Sequence, residues 1–303
     1  MKAPTLRKGR IVNPVLGKEF RLRMRTIRSP LALLFYLLAF GIIAFGYLYV
    51  TRGFTNGSSF NPSQSRDMFY ILSVVQLCLI GFMTPGLTAG VISSEREKQT
   101  LNMLLTTEQS STTIILSKLF SSLSFMLLIV VSTMPIYGIV FLYGGISPKQ
   151  LILVFLFYVF VMFVLGAFGV LFSTLLKRTI ASVILSYGTS LFLFGGTAVL
   201  YVIAQQFIQR SFYAQGGSSN VDIFNWAGYF LGLNPVAALF SIFEKDITES
   251  VFRSPGSGTS QAPMELWGLF LIIMSVLAVA AVLLSIRYIR PVLKKPKNVK
   301  PLE

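Results

Sequence analysis

The chain has 303 residues, of which 54% are hydrophobic and only 12% are charged, with a formal net charge of +15 and a mean hydropathy of +0.72. A soluble domain carries about a quarter charged residues, so the excess of apolar side chains is expected to face lipid. Histidine is absent and Cys78 is the single cysteine, which excludes disulfide frameworks, Cys/His zinc sites and histidine-dependent catalytic triads.

The segment that precedes the first apolar run is basic and has the pattern of an amphipathic helix. Within Asn13–Arg28, apolar residues fall in one narrow arc at 100° per residue, and basic residues gather on the opposite side. Such a helix lies flat at a membrane interface, either as an anchor attracted to anionic lipid or as an elbow that moves with the first span. The residues assigned to it are Lys18, Phe20, Arg21, Met24, Arg25 and Arg28.

Six charge-free runs are long enough to cross the hydrocarbon core, which takes about 20 apolar residues in a helix. They are Leu31–Val50, Met68–Ser94, Leu119–Pro148, Gln150–Leu176, Thr179–Gln209 and Leu266–Ile286. In the pairs Ser29-Pro30 and Ser147-Pro148, a capping residue precedes a first-turn proline, and this order predicts helix starts. Cys78 lies within the second run and is predicted to be a small buried hydrophobe.

A seventh charge-free run, Ile223–Phe243, is interrupted by Asn225, Gly228 and Asn234-Pro235. With six spans, the cytoplasmic segments hold 20 lysines and arginines and the outer segments hold 6. This distribution follows the positive-inside rule, predicts both termini in the cytoplasm, and accounts for the net charge without nucleic acid. A seventh span would place the basic tail outside. We therefore predict that Ile223–Phe243 forms re-entrant or interfacial helices packed against protein.

The connection between the second and third spans contains the most informative pattern. Ser94 and Glu97 have the spacing of a capping box, and Leu101, Leu104 and Leu105 share one face of the helix that would follow. The pattern predicts a short amphipathic helix exposed to the cytoplasm. From the residues alone, this helix is either a capped connector that lies on lipid or a docking helix for a soluble partner.

Just before this helix, a proline and two small residues predict a kink and a close approach between helices. These residues are Pro85, Gly86 and Gly90. No Asp or Glu lies in the middle of a span, which argues against proton-coupled transport.

The order of these patterns resembles the permease subunits of ABC transporters of the ABC-2 type. Asn13–Glu19 is similar to the start of the family's elbow helix, and Leu233-Asn234-Pro235 is similar to the segment before its last span. Residues 95–105 are similar to its E-x-E-x-x-T-L-x-x-L-L coupling helix, which contacts an ATPase. The resemblance implies the same role for Glu95, Arg96, Glu97, Lys98, Thr100, Leu101, Leu104 and Leu105.

The sequence contains no Walker-type phosphate loop and no cytoplasmic segment long enough for an ATPase domain. The chain is therefore predicted not to be an enzyme by itself and to hold no cofactor, with ATP and Mg²⁺ bound by a partner ATPase. The resemblance further implies a second permease subunit, identical or related, in a plasma membrane of bacterial type. It also implies export of an amphipathic, peptide, drug-like or lipidic substrate.

Two other functions stay open at this point. One is a membrane scaffold or assembly factor that recruits soluble partners through the same short helix. The other is a membrane-embedded enzyme, which the sequence favours less because acid–base groups are scarce.

The fold predicted from the sequence is an all-α polytopic membrane protein, with the whole chain, 1–303, as one transmembrane domain. Its predicted parts are a cytoplasmic N-terminus with the elbow helix (1–30), spans one to five (31–205), an extracellular loop with a re-entrant segment (206–265), the sixth span (266–288) and a basic cytoplasmic tail (289–303).

Overall fold

The computed structural model describes residues 28–54, 62–100, 110–142, 144–214, 225–254 and 262–289. These residues form helices α1 (Arg28–Phe54), α2 (Pro62–Thr88), α3 (Ser93–Glu97), α4 (Ser111–Ser132), α5 (Met134–Leu142), α6 (Pro148–Leu175), α7 (Thr179–Leu191), α8 (Thr197–Ala214), α9 (Gly228–Leu231), α10 (Pro235–Phe243), α11 (Asp246–Val251) and α12 (Leu266–Tyr288). A π-helical segment, Phe192–Gly196, joins α7 to α8. The predicted all-α fold is confirmed for the described residues. The predicted division of the chain into parts stays a prediction.

Among the residues that the structure describes, six helical stretches are long and apolar enough to cross a membrane. Spans one, two, four and six are α1, α2, α6 and α12. Span three consists of α4 and α5, and span five of α7, the π segment and α8. These six candidate spans agree with the predicted number, as expected for apolar runs long enough to cross the bilayer.

Span three is interrupted near its middle. It runs from Ser111 to Leu142 rather than over the predicted Leu119–Pro148. The break lies at Thr133, whose hydroxyl donates to the Val130 carbonyl at 2.7 Å, immediately before Met134-Pro135. Proline lacks the N–H that would continue the helical ladder, so the change of element at this point follows from the sequence.

Span five is longer than a bilayer requires. Its 36 residues, Thr179–Ala214, would extend about 54 Å at 1.5 Å per residue, against a hydrocarbon core of about 30 Å. The excess lies at the α8 end, where Gln206, Gln209 and Arg210 are exposed. This end therefore extends past the apolar layer.

Spans two, four and six run in the same direction and form the centre of the bundle. The Tyr158 hydroxyl donates to the Ser73 carbonyl at 3.0 Å, and further along both spans the Ile92 N–H donates to Ser173 Oγ at 2.8 Å. Phe157 packs its ring near Phe270 of span six, with the centroids 5.5 Å apart. The main core cluster extends through these three spans.

The chain between spans five and six enters the bundle and returns. The Asn225 side chain lies 3.4 Å from that of Gln205 on span five. The Asn234 side chain contacts the same span at Phe194, which precedes Gln205 by eleven residues. Helix α10 then leads back, and Phe243 stacks on Tyr70 near the start of α2, with ring centroids 4.3 Å apart. Two short helices in place of a seventh span agree with the reading of Ile223–Phe243 from the sequence.

Two local predictions about capping have different outcomes. At the start of span four, Ser147 and Gln150 form a capping box and Pro148 is the first helical residue, as predicted. At span one, Ser29 already lies inside α1, so its prediction as a cap is wrong. Residues before Arg28 lie outside the described ranges. Arg28 and Ser29, which precede Pro30, are already helical.

The prediction for Cys78 is also wrong, because its side chain is exposed on the surface of the bundle. Leu77 and Ile80, its neighbours on span two, are fully buried. In a membrane span the surface that faces lipid is as apolar as the interior, so an apolar run does not reveal which residues are buried against protein.

Candidate functional site

The candidate site is the connection between spans two and three, residues 89–100, which we call the connecting segment. It consists of a turn after α2, the five-residue helix α3, and an exposed end at residues 97–100. The turn is compact, since the N–H groups of Ala89 and Ser94 donate to the carbonyls of Pro85 and Gly90 at 2.9 and 3.0 Å. The segment therefore leaves span two through a hydrogen-bonded structure.

The first turn of α3 is capped by a residue from another span. Ser173 Oγ of span four accepts the N–H groups of Ile92 at 2.8 Å and Ser93 at 2.9 Å. Helix α3 begins at Ser93 and has no side-chain cap of its own, so the predicted capping box of Ser94 and Glu97 is wrong. A helix N-terminus needs acceptors for its free N–H groups, and here a buried serine 80 residues away supplies one.

Helix α3 ends sooner than the sequence predicts. Gln99 adopts a positive φ of 59°, and the N–H groups of Gln99 and Thr100 donate to the carbonyls of Arg96 and Glu95 at 3.1 and 3.0 Å. This pattern is a Schellman termination. A single helix from Glu95 to Leu105 is therefore not formed, because the chain turns at Gln99. Leu101, Leu104 and Leu105 lie outside the described residues.

Glu95 pairs with a buried lysine of span three. Lys118 Nζ lies 2.5 Å from Glu95 Oε1, and the two side chains are 3% and 27% exposed. A buried lysine needs such a partner, because burying an isolated charge is costly. From the sequence, Lys118 is only one of the 20 lysines and arginines of the cytoplasmic segments, although a lone charge next to an apolar run could have indicated a buried pair.

Arg96 and Glu97 bind the two ends of the short connection between spans four and five. The Arg96 guanidinium donates to the Leu176 carbonyl at 3.4 Å. The Glu97 carboxylate accepts from the backbone N–H and the hydroxyl of Thr179, both at 2.8 Å. Thr179 is the first residue of α7, so Glu97 satisfies a free N–H at the positive end of that helix.

The Glu97 carboxyl group lies outside the apolar spans and stays ionised at neutral pH. The Thr179 backbone N–H lowers the pKa of Glu97 below its ordinary value, and the Thr179 hydroxyl and the nearby Arg178 charge act in the same direction. Hydrogen bonds to the charged form of a carboxyl group have this effect.

Span five is held against span two by serines on one face. Ser182 Oγ donates to the Ala89 carbonyl at 2.6 Å, and Ser190 Oγ donates to the Gly81 carbonyl at 2.7 Å. Both serines are buried, as is Ser186 between them. Small polar residues at every fourth position are typical of helix interfaces in membranes, and this signal was missed.

The close approach predicted near Pro85 is found mainly at a different glycine. An added Cβ at Gly90 would meet only the Thr179 methyl group, at 3.4 Å, and one at Gly86 would meet the Tyr187 hydroxyl at 2.7 Å. At Gly169 of span four it would lie 2.0 Å from Thr88 Oγ1. Pro85 is inside α2, three residues before the helix ends.

The other predicted site residues fall into two groups. Lys98 and Thr100 are exposed at the end of the connecting segment, where a partner could reach them. Lys18, Phe20, Arg21, Met24 and Arg25 of the predicted elbow lie outside the described residues, and Arg28 is the first residue of α1.

The connecting segment contacts the ends of several spans. Within the described ranges, His, Cys, Asp and Glu do not form a group of three that could hold a metal ion. Glu95, Arg96 and Glu97 instead bind spans three, four and five, while the segment is covalently joined to span two. A force applied to residues 97–100 would thus reach four spans at once.

Comparison with known protein families gives one match. A family profile described as "ABC-2 family transporter protein" matches residues 14–290, which is most of the chain. None of the curated proteins matches the sequence.

Proposed function

The chain belongs to the ABC-2 family of transporter membrane proteins. We propose that it is the permease of an ATP-driven exporter and that ATP hydrolysis drives it through the connecting segment. As a member of this family it is the transmembrane subunit of a transporter, lacks an ATPase domain, and is not an enzyme by itself. A separate ATPase subunit binds ATP and Mg²⁺ and docks where the connecting segment is exposed. A second permease subunit, identical or related, completes the complex.

The observation that carries the proposal is the anchoring of the connecting segment. Three consecutive charged residues reach three different spans, and each contact joins a side chain to a span terminus or to a buried charge. A connector that merely lay on lipid would not need these contacts. An ATPase that pushed on residues 97–100 would therefore displace the ends of spans two to five together.

The proposed orientation places this end of the bundle in the cytoplasm. The basic residues of the sequence divide 20 to 6 in favour of the connecting-segment side, as the positive-inside rule requires. The chain from Asn225 to Phe243 is then a re-entrant segment on the outer side, and the elbow lies at the inner interface. We place the complex in a plasma membrane of bacterial type and propose an amphipathic, peptide, drug-like or lipidic substrate.

The test separates docking from transmission. The chain would be co-purified with its candidate ATPase, and ATP hydrolysis would be measured in lipid nanodiscs. A docking variant, Leu101→Asp with Leu104→Asp, is expected to lose ATPase binding. A transmission variant, Glu95→Gln, is expected to keep binding but to lose most of the stimulation of hydrolysis, because the contact with span three is weakened.

Arg210→Gln is the matched control, because it removes an exposed charge at the opposite end of the bundle and should leave both properties unchanged. Size-exclusion profiles establish that each variant is folded. If the docking variant binds the ATPase and stimulates hydrolysis as the wild type does, the proposed role of the segment is wrong.

A further inference from the structure

A side cleft lies at the end of the bundle opposite the connecting segment. It has a volume of about 620 Å³ and is formed by the first half of span four, the end of α10 and the start of span six. This volume is within the range of about 300–1,000 Å³ that is typical of ligand sites. Neither the coupling mechanism nor the anchoring contacts involve these residues.

The wall of the cleft is an apolar stripe on span four. Leu153, Leu156, Phe157 and Phe160 line it, and their spacing places them on one face of the helix. From Lys149 at the mouth to Phe160, the helix rises about 16 Å at 1.5 Å per residue. Leu156 is 61% exposed, so the cleft opens sideways, towards the bilayer. A long apolar chain fits such a groove.

The mouth of the cleft is cationic. Lys149 and Lys245 line it together with one carboxylate, that of Glu265, which leaves one net positive charge. Within the described residues Lys149 has no carboxylate partner, and Lys245 is 82% exposed with a contact of 3.4 Å to Glu265. An exposed ion pair of this kind contributes little to stability, and the three N–H donors of the Lys245 ammonium allow it to bind a second anion while it stays paired with Glu265.

The carboxylate at the mouth is already engaged. Glu265 forms an ion pair with Lys245 through Oε1 and accepts a hydrogen bond through Oε2 from the indole N–H of Trp267, which also lines the cleft. It therefore offers little to the ammonium of a zwitterionic headgroup. Tryptophan is typical of the level at which lipid headgroups begin, so the charged mouth lies where phosphates are found.

We propose that this cleft binds an anionic glycerophospholipid. The headgroup phosphate lies between Lys149 and Lys245, and an acyl chain follows the stripe from Leu153 to Phe160. The two ends of the cleft match the two ends of the lipid, since the cations are confined to the mouth and the walls below are apolar. This site does not depend on the ATPase.

Trp267 makes the site testable by fluorescence. The chain has two tryptophans, so Trp226→Phe leaves Trp267 as the only one. The full chain would be reconstituted in phosphatidylcholine vesicles with increasing fractions of brominated phosphatidylglycerol or brominated phosphatidylcholine, which quench a tryptophan on contact. Stronger quenching by the anionic lipid at equal fractions is expected. The Lys149→Gln/Lys245→Gln pair should reduce the preference by roughly 25-fold, at about fivefold for each lysine near the surface.

Two controls distinguish a site from general attraction. Arg253→Gln removes an exposed cation at the same end of the bundle that does not line the cleft, and it should leave the preference unchanged. Lys149→Arg/Lys245→Arg keeps both charges and should retain it. Equal quenching by the two lipids, or an equal loss of preference in Arg253→Gln and the double variant, would overturn the proposal. Neither result would bear on ATPase docking, which is tested at the other end.

Discussion

At the scale of single residues, the ion pair of Glu95 and Lys118 is the contact whose loss should lower the stability most. Lys118 is almost completely buried, whereas Glu95 retains some exposure. Replacing Glu95 by Gln would leave the buried ammonium without its carboxylate. Loss of one partner of a buried pair costs up to about 3–5 kcal/mol, while replacement of both partners costs less.

A double-mutant cycle measures this pair. Glu95→Gln and Lys118→Met should each lower the apparent melting temperature in detergent, and the combination should be more stable than the sum of the single effects predicts, with a coupling of about 0.5–3 kcal/mol. Lys98→Gln, which changes an exposed residue of the same segment, serves as the control and should have no effect. Strict additivity would show that the two charges do not stabilise each other.

The residues of the connecting segment also show where prediction from sequence fails. The spacing of Ser94 and Glu97 fits a capping box, yet Ser173 caps the helix and Glu97 binds Thr179. Both partners are about 80 residues away along the chain, and a local pattern contains no information about them. The position of the segment was predictable from the order of the apolar runs, whereas its contacts depend on how the spans pack.

At the scale of elements, spans two and four make their closest approach at Gly169. A methyl group there would lie 2.0 Å from Thr88 Oγ1 and 3.3 Å from the backbone nitrogen of Ala89, so the two helices would have to separate. Overpacking of this kind costs about 1–3 kcal/mol. We expect Gly169→Ala to lower the apparent melting temperature by several degrees, as measured by size exclusion after heating.

Gly90→Ala is the matched comparison, because the same methyl group would meet only the Thr179 side chain at an ordinary contact distance of 3.4 Å. It should be tolerated. Equal stability of the two variants would mean that spans two and four are less tightly packed than the structure shows. The sequence could predict small-residue pairs, but not which glycine faces a neighbouring backbone.

Asn234 connects α10 to span five through both ends of its side chain. Its oxygen accepts from the N–H groups of Val236 and Ala237 at the start of α10, while its Nδ2 donates to the Phe194 carbonyl and to Thr197 Oγ1 at 2.8 and 2.9 Å. Phe194 lies in the π segment, where the regular ladder is interrupted. The side chain is therefore at once a helix cap and a link between two elements.

Two substitutions separate these roles. Asn234→Ser keeps an acceptor for the cap but removes the two hydrogen bonds donated to span five, and their loss should cost about 1–3 kcal/mol in total. Asn234→Ala removes the cap as well and should cost about 1 kcal/mol more. Thermal unfolding in detergent should show that stability decreases from the wild type to Asn234→Ser and further to Asn234→Ala. A Ser variant as stable as the wild type would show that the π segment is held in place without this asparagine.

At the scale of the whole molecule, the number of candidate spans was predictable, whereas their proposed orientation rests on the distribution of charge alone. The bilayer fixes the length of each span, so hydropathy is sufficient to count them. The burial of individual residues was not predictable, because lipid and protein interior are equally apolar, and Cys78 is the clear example.

The orientation can be measured with cysteines at exposed positions of the two ends. In a Cys78→Ser background, an impermeant maleimide should label Ser250→Cys in intact cells and should label Lys98→Cys only after permeabilisation, because the proposed topology places Lys98 in the cytoplasm. Both positions are exposed in the structure. Labelling of Lys98→Cys in intact cells would reverse the proposed orientation.

The two breaks in spans three and five affect how a displacement of the connecting segment would spread. Each of these spans is fastened to the segment at one end, and each is interrupted further along, at Thr133-Met134-Pro135 and at Phe192–Gly196. Helices bend most readily at prolines and at π-bulges. We therefore expect a displacement of the connecting segment to carry the anchored parts of spans three and five with it, while the parts beyond the two breaks tilt at these joints.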